Sequence, residues 1–338
     1  MDNRNGLDSF IAAGLSISEV NLSNVRLAQL KKIRCIFDYA RQHSPFYRER
    51  FASSLNGIAS FRDFELLPVL NSQDIVQSGT RMLCVSPEQA IRAFTSGTTS
   101  SPKRLLLTES ELEQTISFFQ FGSTKFISAG EKALLLFPCQ APFGPGDLFC
   151  RALSRLKAIP IRFGVPHTPE EALQKILQIR PRLVLASPET ALSLLKVPVS
   201  EPVAVPILLI SGSALSEKDQ IRLRNALACQ IYLEYGLTET VFALGLSCAD
   251  SPCYHLREDA FYAEILDEND QPLPTDVPGR VVVTSLSYGA MPLIRYDTGD
   301  IASYRANHCS CSSLLPVLSL VEPRKVPKGY FASGPGLL

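Results

Sequence analysis

Hydroxyl residues crowd around one glycine in Thr95-Ser-Gly-Thr-Thr-Ser-Ser-Pro-Lys103. Backbone N–H groups, hydroxyls and an ammonium converging on one loop suit a polyphosphate. The spacing G-x-x-x-x-G-K-[ST] is missing, so this is not a Walker loop. On its residues alone the segment reads equally well as a flexible Ser/Thr loop with a snorkelling lysine. A second segment, Tyr235-Gly-Leu-Thr-Glu-Thr240, ends an apolar run. Its adjacent hydroxyl and carboxylate could hold a phosphate and a Mg²⁺ ion together; a helix N-cap would use the same residue types. A third, Arg295-Tyr-Asp-Thr-Gly-Asp300, sets an Asp after a glycine, where it could accept from ribose hydroxyls or simply close a β-turn. A fourth constellation pairs Cys248 and His255 with Cys309 and Cys311. Four soft ligands in loop-rich chain could form one closed, structural, tetrahedral Zn²⁺ site. Cys253 and His308 are alternative ligands; exposed thiols near loops are the other reading, and it leaves four ligands in loop-rich chain poorly explained.

These segments need elements to position them. Leu27, Leu30, Ile33, Phe37 and Ala40 follow helical spacing over Leu22 to Ala40, with Asn21 or Ser23 as cap. His43 to Phe51 reads as a packed turn into a second short helix. From Lys132 short apolar strands alternate with helices. Strands are expected at Ala133–Phe137, Ile159–Phe163, Leu183–Ala186, Ile207–Ile210 and Ile231–Glu234. Helices are expected at Leu148–Lys157, Pro169–Ile179, Thr190–Lys196 and Ser216–Leu227. That alternation predicts a parallel sheet covered on both faces, with ligands beyond the carboxyl ends of its strands. After Thr240 the pattern turns β-rich, with strands at Phe261–Leu266, Arg280–Ser285 and Pro292–Tyr296. From Glu322 the chain is rich in Pro and Gly, and no further element is expected.

The 338 residues carry 33 Lys plus Arg against 33 Asp plus Glu, a net charge of zero. A nucleic-acid binder held by bulk charge would be basic. Hydrophobic content of 46% is that of a globular chain rather than a disordered one. No apolar run of membrane-spanning length occurs, and Met1 to Ser9 lacks the basic-then-apolar signal of secretion, so a cytoplasmic protein is expected. Nine cysteines then read as thiols or metal ligands rather than a disulfide framework. Cys35, Cys84, Cys139, Cys150 and Cys229 lie in or near apolar stretches and read as core residues, while His43 and His167 show no partner pattern. No G-x-S-x-G elbow supports a hydrolase.

The three polar segments, in this order, resemble the adenylate-forming superfamily: acyl- and aryl-CoA synthetases, luciferases and peptide-synthetase adenylation domains. The patterns there are [ST]-S-G-T-T-G-x-P-K, Y-G-x-T-E and T-G-D. The stretches YARQHSPFYRERF, LPVLNSQDI and HLREDAFYAEILD are similar to the phenylacetate-CoA ligase branch. The resemblance spans about Leu30 to Arg324 and implies an α/β fold: stacked α/β subdomains with parallel sheets plus a β-rich subdomain, an N-terminal core. The expected division is 1–240 for the α/β core, 241–324 for the β-rich part and 325–338 for a tail.

The resemblance also implies roles. Ser96, Gly97, Thr98, Thr99 and Lys103 would hold the ATP phosphates, with Lys103 supplying charge in catalysis. Ser211, Gly212 and Ser213 would border the adenine, and Tyr235 and Gly236 would lie against the nucleotide or the acid. Thr238 would touch the α-phosphate, Glu239 would ligate Mg²⁺, and Asp300 would bind the ribose. Arg324 resembles the arginine before the hinge to a mobile C-terminal domain. The branch includes members with a zinc site in the Cys248–Cys311 region. The implied reaction joins a carboxylic acid to ATP as an acyl-adenylate and passes it to the thiol of CoA or of an acyl carrier protein. The acid is expected between Phe137–Gly144, Ser187-Pro188 and Tyr235–Gly245; the apolar Pro142, Phe143 and Gly144 point to an aryl or arylacetic acid.

Two departures qualify this. Ser100 replaces a usual glycine of the phosphate loop. The chain ends soon after Arg324, with Val326 where an acidic hinge residue is expected. The second departure raises the expectation of an adenylate-binding module completed by a separate protein supplying the C-terminal domain. A homodimer stays open as an assembly, and neither nucleic acid nor membrane is an expected partner.

Overall fold

A computed structural model of the chain describes residues 6–54, 57–93, 104–198, 203–249, 252–305, 309, 311 and 313–322. Thr95–Lys103, His308, Arg324 and Val326 lie outside them. Two compact units interleave along the chain. Among the described residues the first takes the chain up to Glu111, Thr238–Thr240 and the chain from His255; the second takes Leu112–Leu237 and Val241–Tyr254.

The first unit starts with helices α1 (Gly6–Leu15), α2 (Leu22–His43), α3 (Pro45–Arg50), α4 (Phe61–Glu65) and α5 (Ser72–Ser78). Asn21 caps α2, its side chain accepting from the Asn24 amide at 2.9 Å. The buried face of α2 differs from the sequence expectation: it runs through Val25, Ala28, Gln29, Ile33, Ile36, Phe37 and Ala40, while Leu27 is 56% exposed. The reason is Gln29. Its amide donates to the Glu258 backbone carbonyl at 2.8 Å and to the Glu258 carboxylate at 2.6 Å, so a polar side chain is satisfied on the buried face. Val25 and Ala28 pack with Ile11, Leu15 and Leu315. Strands β1 (Ile91–Ala93) and β2 (Leu105–Leu107) form an antiparallel pair flanking the Thr95–Lys103 segment.

The second unit is built on helix α6 (Glu109–Ser123) followed by β3 (Lys132–Leu136), α7 (Pro145–Arg155), β4 (Ile159–Arg162), α8 (Pro169–Ile179), β5 (Leu183–Ala186), α9 (Pro188–Leu194), β6 (Ile207–Ile210), α10 (Glu217–Leu227), β7 (Gln230–Tyr235) and β8 (Gly245–Ser247). The strands run parallel in the order β4-β3-β5-β6-β7, and β8 returns antiparallel to β7. Every residue of β5 and β6 is buried, as strands covered on both faces require. Side-chain oxygens of Thr168, Ser187 and Ser216 cap α8, α9 and α10. Because the strands are parallel, the segments after β3, β5, β6 and β7 all leave from one edge of the sheet.

The chain then runs through β9 (Tyr254–Leu256) and returns to the first unit with β10 (Phe261–Leu266), β11 (Gly279–Ser285), β12 (Tyr296–Arg305) and β13 (Val317–Glu322). The last four form an antiparallel meander. The expected strand Pro292–Tyr296 is not there. Arg295 sits in the left-handed region at φ 50, its carbonyl accepts from the Leu70 amide at 2.7 Å, and pairing begins at Tyr296. β13 was not expected from sequence. Among the described residues, no helix is long and apolar enough to cross a membrane.

Candidate functional site

In the second unit, β6 and β7 end side by side, with Ile210 opposite Leu233. Ser211 and Glu234 follow these two residues, and the Ser211 hydroxyl donates to Glu234 Oε2 at 2.7 Å. Gly212 turns the chain at φ 105, a conformation that favours glycine. The buried Tyr235 lies 5.4 Å from the ring of Tyr254. Gly236 has no room for a side chain: a Cβ would meet the Phe242 carbonyl oxygen at 2.0 Å and Glu234 Oε1 at 2.7 Å. Val241 and Phe242 both adopt left-handed backbone, at φ 53 and 67. Such strain costs about 1–2 kcal/mol per residue. Three hydrogen bonds fix this segment: Thr115 hydroxyl to the Val241 carbonyl, Phe242 amide to the Leu237 carbonyl, and Leu244 amide to the Tyr235 carbonyl. Sequence reasoning missed Glu234. Its signal was a lone charge inside the apolar run Ile231–Tyr235.

In the first unit, Thr238–Thr240 is a buried 3-10 turn, not the start of an α-helix, so Thr238 does not serve as an α-helix cap. Glu239 Oε1 accepts from the Tyr296 hydroxyl at 2.8 Å. This bond joins the second polar segment to the third.

The third segment lies inside β12 rather than in a β-turn. Pairing with β11 shifts register between Arg280 and Val282, and Gly299 stands at φ 81. Asp297 Oδ1 accepts from the Gly299 amide at 2.8 Å, and Asp297 Oδ2 takes Arg280 Nη1 at 2.7 Å. The Asp300 amide donates to Thr298 Oγ1, whose own hydroxyl donates to the Val281 carbonyl. Asp300 is thereby held buried beyond a bulged glycine. Arg295 is 1% exposed and paired with the equally buried Glu264. It also donates to the carbonyls of Glu65 and Leu67, binding the end of α4 to β10. Burial pushes the Glu264 carboxyl up to about 7 against the pull of Arg295.

The ligand atoms of Cys248, His255, Cys309 and Cys311 lie within 4.8 Å of one another, with Cys311 Sγ 3.3 Å from His255 Nε2. Cys248 directly follows β8 and His255 is the middle residue of β9. Cys253 is not in the cluster, and His308 lies outside the described residues. Cys84, Cys139, Cys150 and Cys229 are buried; burial pushes Cys84 and Cys150 up to about 12 and Cys229 to about 11. Cys35 departs from the expected core assignment: it is exposed on α2, on the side away from Ile33 and Phe37. Ser96, Gly97, Thr98, Thr99 and Lys103, expected from the sequence to hold phosphates, are outside the described residues, as is Arg324.

The family model for AMP-binding enzymes matches residues 56–290. The chain belongs to the AMP-binding enzyme family. The resemblance read from the three motifs is thereby borne out. The matched span holds Thr95–Lys103, Ser211–Ser213 and Tyr235–Glu239; Asp300, Cys309 and Cys311 lie beyond it. A phenylacetate-coenzyme A ligase of Thermus thermophilus is 24% identical over 331 residues, covering 90% of this chain and 72% of that one. The enzyme of the same name from Pseudomonas putida is 25% identical over 301 residues, covering 82% and 66%. Among solved structures, 2-hydroxyisobutyryl-CoA ligase in an open conformation with 2-HIB-AMP and CoA has a TM-score of 0.79 at 20% identity, over 90% of this chain and 76% of that one. A benzoate CoA ligase from Burkholderia xenovorans LB400 reaches 0.53 at 18% identity, over 69% and 49%. These likenesses support the α/β fold of the family.

Proposed function

We propose that this chain activates a carboxylic acid with ATP and passes the acyl group to the thiol of CoA. A carboxylate oxygen of the acid attacks the α-phosphorus, pyrophosphate leaves, and an acyl-adenylate results. The thiol sulfur then attacks the acyl carbon, AMP leaves, and a thioester forms. Neither step needs a covalent bond to the protein; both need positioning and charge stabilisation. Lys103 with Ser96, Gly97, Thr98 and Thr99 holds the phosphates, Ser211–Ser213 and Tyr235-Gly236 border the base, Thr238 meets the α-phosphate and Asp300 takes the ribose. The observation that carries this reading is the 2.8 Å bond from Tyr296 to Glu239, which ties two of the three motifs into one buried arrangement. The names of the CoA ligases above support the acceptor.

Glu239, a buried carboxylate next to the Thr238 hydroxyl, offers the hard oxygen donors that Mg²⁺ takes. Bound there, the ion would neutralise phosphate charge. The acid we infer is aryl or arylacetic, supported by Pro142, Phe143 and Gly144 at the carboxyl edge of the parallel sheet. Hydroxylamine trapping tests the chemistry: with ATP, Mg²⁺ and a phenylacetic-type acid the chain should yield the acid's hydroxamate. No hydroxamate from any aryl, arylacetic or short aliphatic acid would refute the reading.

We further propose that Cys248, His255, Cys309 and Cys311 hold a structural Zn²⁺. Three thiols and one imidazole are a zinc donor set, and tetrahedral Zn–S bonds of about 2.3 Å put sulfurs about 3.8 Å apart, in keeping with the observed clustering. Metal analysis of chelator-free protein should give about one zinc per chain; protein purified without zinc would refute the assignment.

A further inference from the structure

The chain that carries Cys309 and Cys311 leads into Ser313, Leu314 and Leu315, and helix α1 grips all three. Asp8, in the first turn of α1, is 6% exposed. A buried carboxylate is tolerated where its oxygens find donors. Those donors lie 305 and 306 residues further along the chain. The Ser313 hydroxyl donates to Asp8 Oδ1 at 2.6 Å, and the Leu314 amide donates to Oδ2 at 3.1 Å. Ser313 Oγ in turn accepts from the Leu315 amide at 3.3 Å. The Leu315 side chain is buried among Ile11 and Leu15 of α1 and Val25 and Ala28 of α2. Polar and apolar contacts to α1 thus fall within three consecutive residues.

Another ligand-bearing segment of the same unit meets α1 at its other end. His255 lies on β9, and Asp259 follows it by four residues. A Cβ at Gly14, in the last turn of α1, would stand 2.6 Å from Asp259 Cβ and 2.9 Å from Asp259 Oδ2. Only a glycine lets helix and aspartate approach so closely. Through Asp8, then, α1 holds the chain after Cys311; through Gly14 it abuts the chain after His255. Two residues of chain reach at most about 7 Å, so fixing Ser313 restricts where the Cys311 sulfur can go. That sulfur lies 3.3 Å from His255 Nε2. Residues that orient ligands from behind contribute to metal affinity without touching the ion.

We propose that Asp8 is a positioning residue for the metal site, and that zinc retention is coupled to the docking of α1 on residues 313–315. This inference rests on the proposed zinc site. The coupling is reciprocal: docking that preorganises Cys311 tightens zinc binding, and bound zinc tightens docking by the same factor.

The test uses the full chain and a chromogenic chelator that competes for zinc. In Asp8→Asn the side-chain oxygen remains an acceptor but the amide nitrogen is not one, so one of the two donors loses its partner. This variant should bind zinc about tenfold more weakly than the unaltered chain, in the range of supporting-residue substitutions. Ser9→Ala, at an exposed position of the same helical turn, should bind it equally well. A second measurement needs no variant: hydrogen exchange of the unaltered chain with zinc and after chelation. The amides of α1 should lose about tenfold in protection on chelation, while those of α10 in the second unit lose less than about twofold. Unchanged zinc affinity in Asp8→Asn, equal weakening in Ser9→Ala, or α1 amides that lose no more protection than those of α10 would overturn the inference and leave the zinc site standing. No zinc bound by the unaltered chain would overturn the zinc reading, and this inference with it.

Discussion

The two units of the chain treat buried charge in opposite ways. In the second, β5 and β6 at the heart of the parallel sheet are wholly apolar, and the buried carboxylates Glu234 and Asp147 stand near the end of β7 and in the first turn of α7, away from that heart. In the first, charge is buried within the sheet: Glu264 on β10 and Arg295 at the threshold of β12 pair at 3.2 Å, both essentially inaccessible to water. A parallel sheet covered by helices on both faces has no place for an ion except its edges, and its edges are where ligands bind. An antiparallel sheet can bury an arginine if every donor finds an acceptor, and Arg295 finds Glu264 and the carbonyls of Glu65, Leu67 and Asp270. Charge in the second unit therefore marks candidate function, while charge in the first can be architecture even inside a motif.

The contrast is broken most forcefully by removing one member of the buried pair. Glu264→Ala leaves Arg295 uncompensated and should cost about 3–5 kcal/mol in denaturant unfolding. The exposed pair Arg155–Glu113 of the second unit is the control; Glu113→Ala should cost less than about 1 kcal/mol. Equal losses would erase the distinction.

Next in size is the proposed zinc site. Replacing Cys309 and Cys311 with serine should abolish zinc retention and lower the melting temperature of the chain, since a structural site contributes folding energy. Unchanged melting with and without chelator would contradict that role.

The smallest effect is in pH dependence, and its sign differs between the units. The raised pKa of Glu264 means that the folded state holds a proton that the unfolded state has released between about 4.5 and 7. Its contribution is fully present below pH 4.5 and is lost as pH rises through about 7. Burial opposes charge on Asp147, but Arg162, the Phe143 amide and Arg151 together hold its carboxyl below the usual range. Its contribution is therefore present above the ordinary aspartate range and is lost on acidification through the depressed value. Stability profiles of Glu264→Gln and Asp147→Asn against the unaltered chain should lose these opposite slopes one at a time. Parallel profiles would show that the pairs do not titrate as the geometry requires.

What was legible in the sequence follows the same division. Leu183–Ala186, Ile207–Ile210 and Pro169–Ile179 are strands and a helix at the bounds read from the chain, because an all-apolar run or a Thr-Pro start leaves few alternatives. The first unit was harder. Gln29 on the buried face of α2 hides the helical stripe, and the left-handed Arg295 delays β12 past the apolar run that seemed to be it. The site was legible as three motifs but not as a connected object. Nothing in the spacing of Tyr235–Thr240 and Arg295–Asp300 reveals that Tyr296 donates to Glu239, and Glu234 could not be told from a surface charge until Ser211 was found beside it.

The central claim, that the chain activates a carboxylic acid through the Thr238-Glu239 turn, is tested most directly by acid-dependent exchange of labelled pyrophosphate into ATP, run with the unaltered chain and Glu239→Gln. The account predicts exchange that needs both Mg²⁺ and an aryl or arylacetic acid, falling about 10²–10³-fold in Glu239→Gln while the fold is kept. Exchange that Glu239→Gln sustains at the rate of the unaltered chain, or no exchange with any acid, would contradict it.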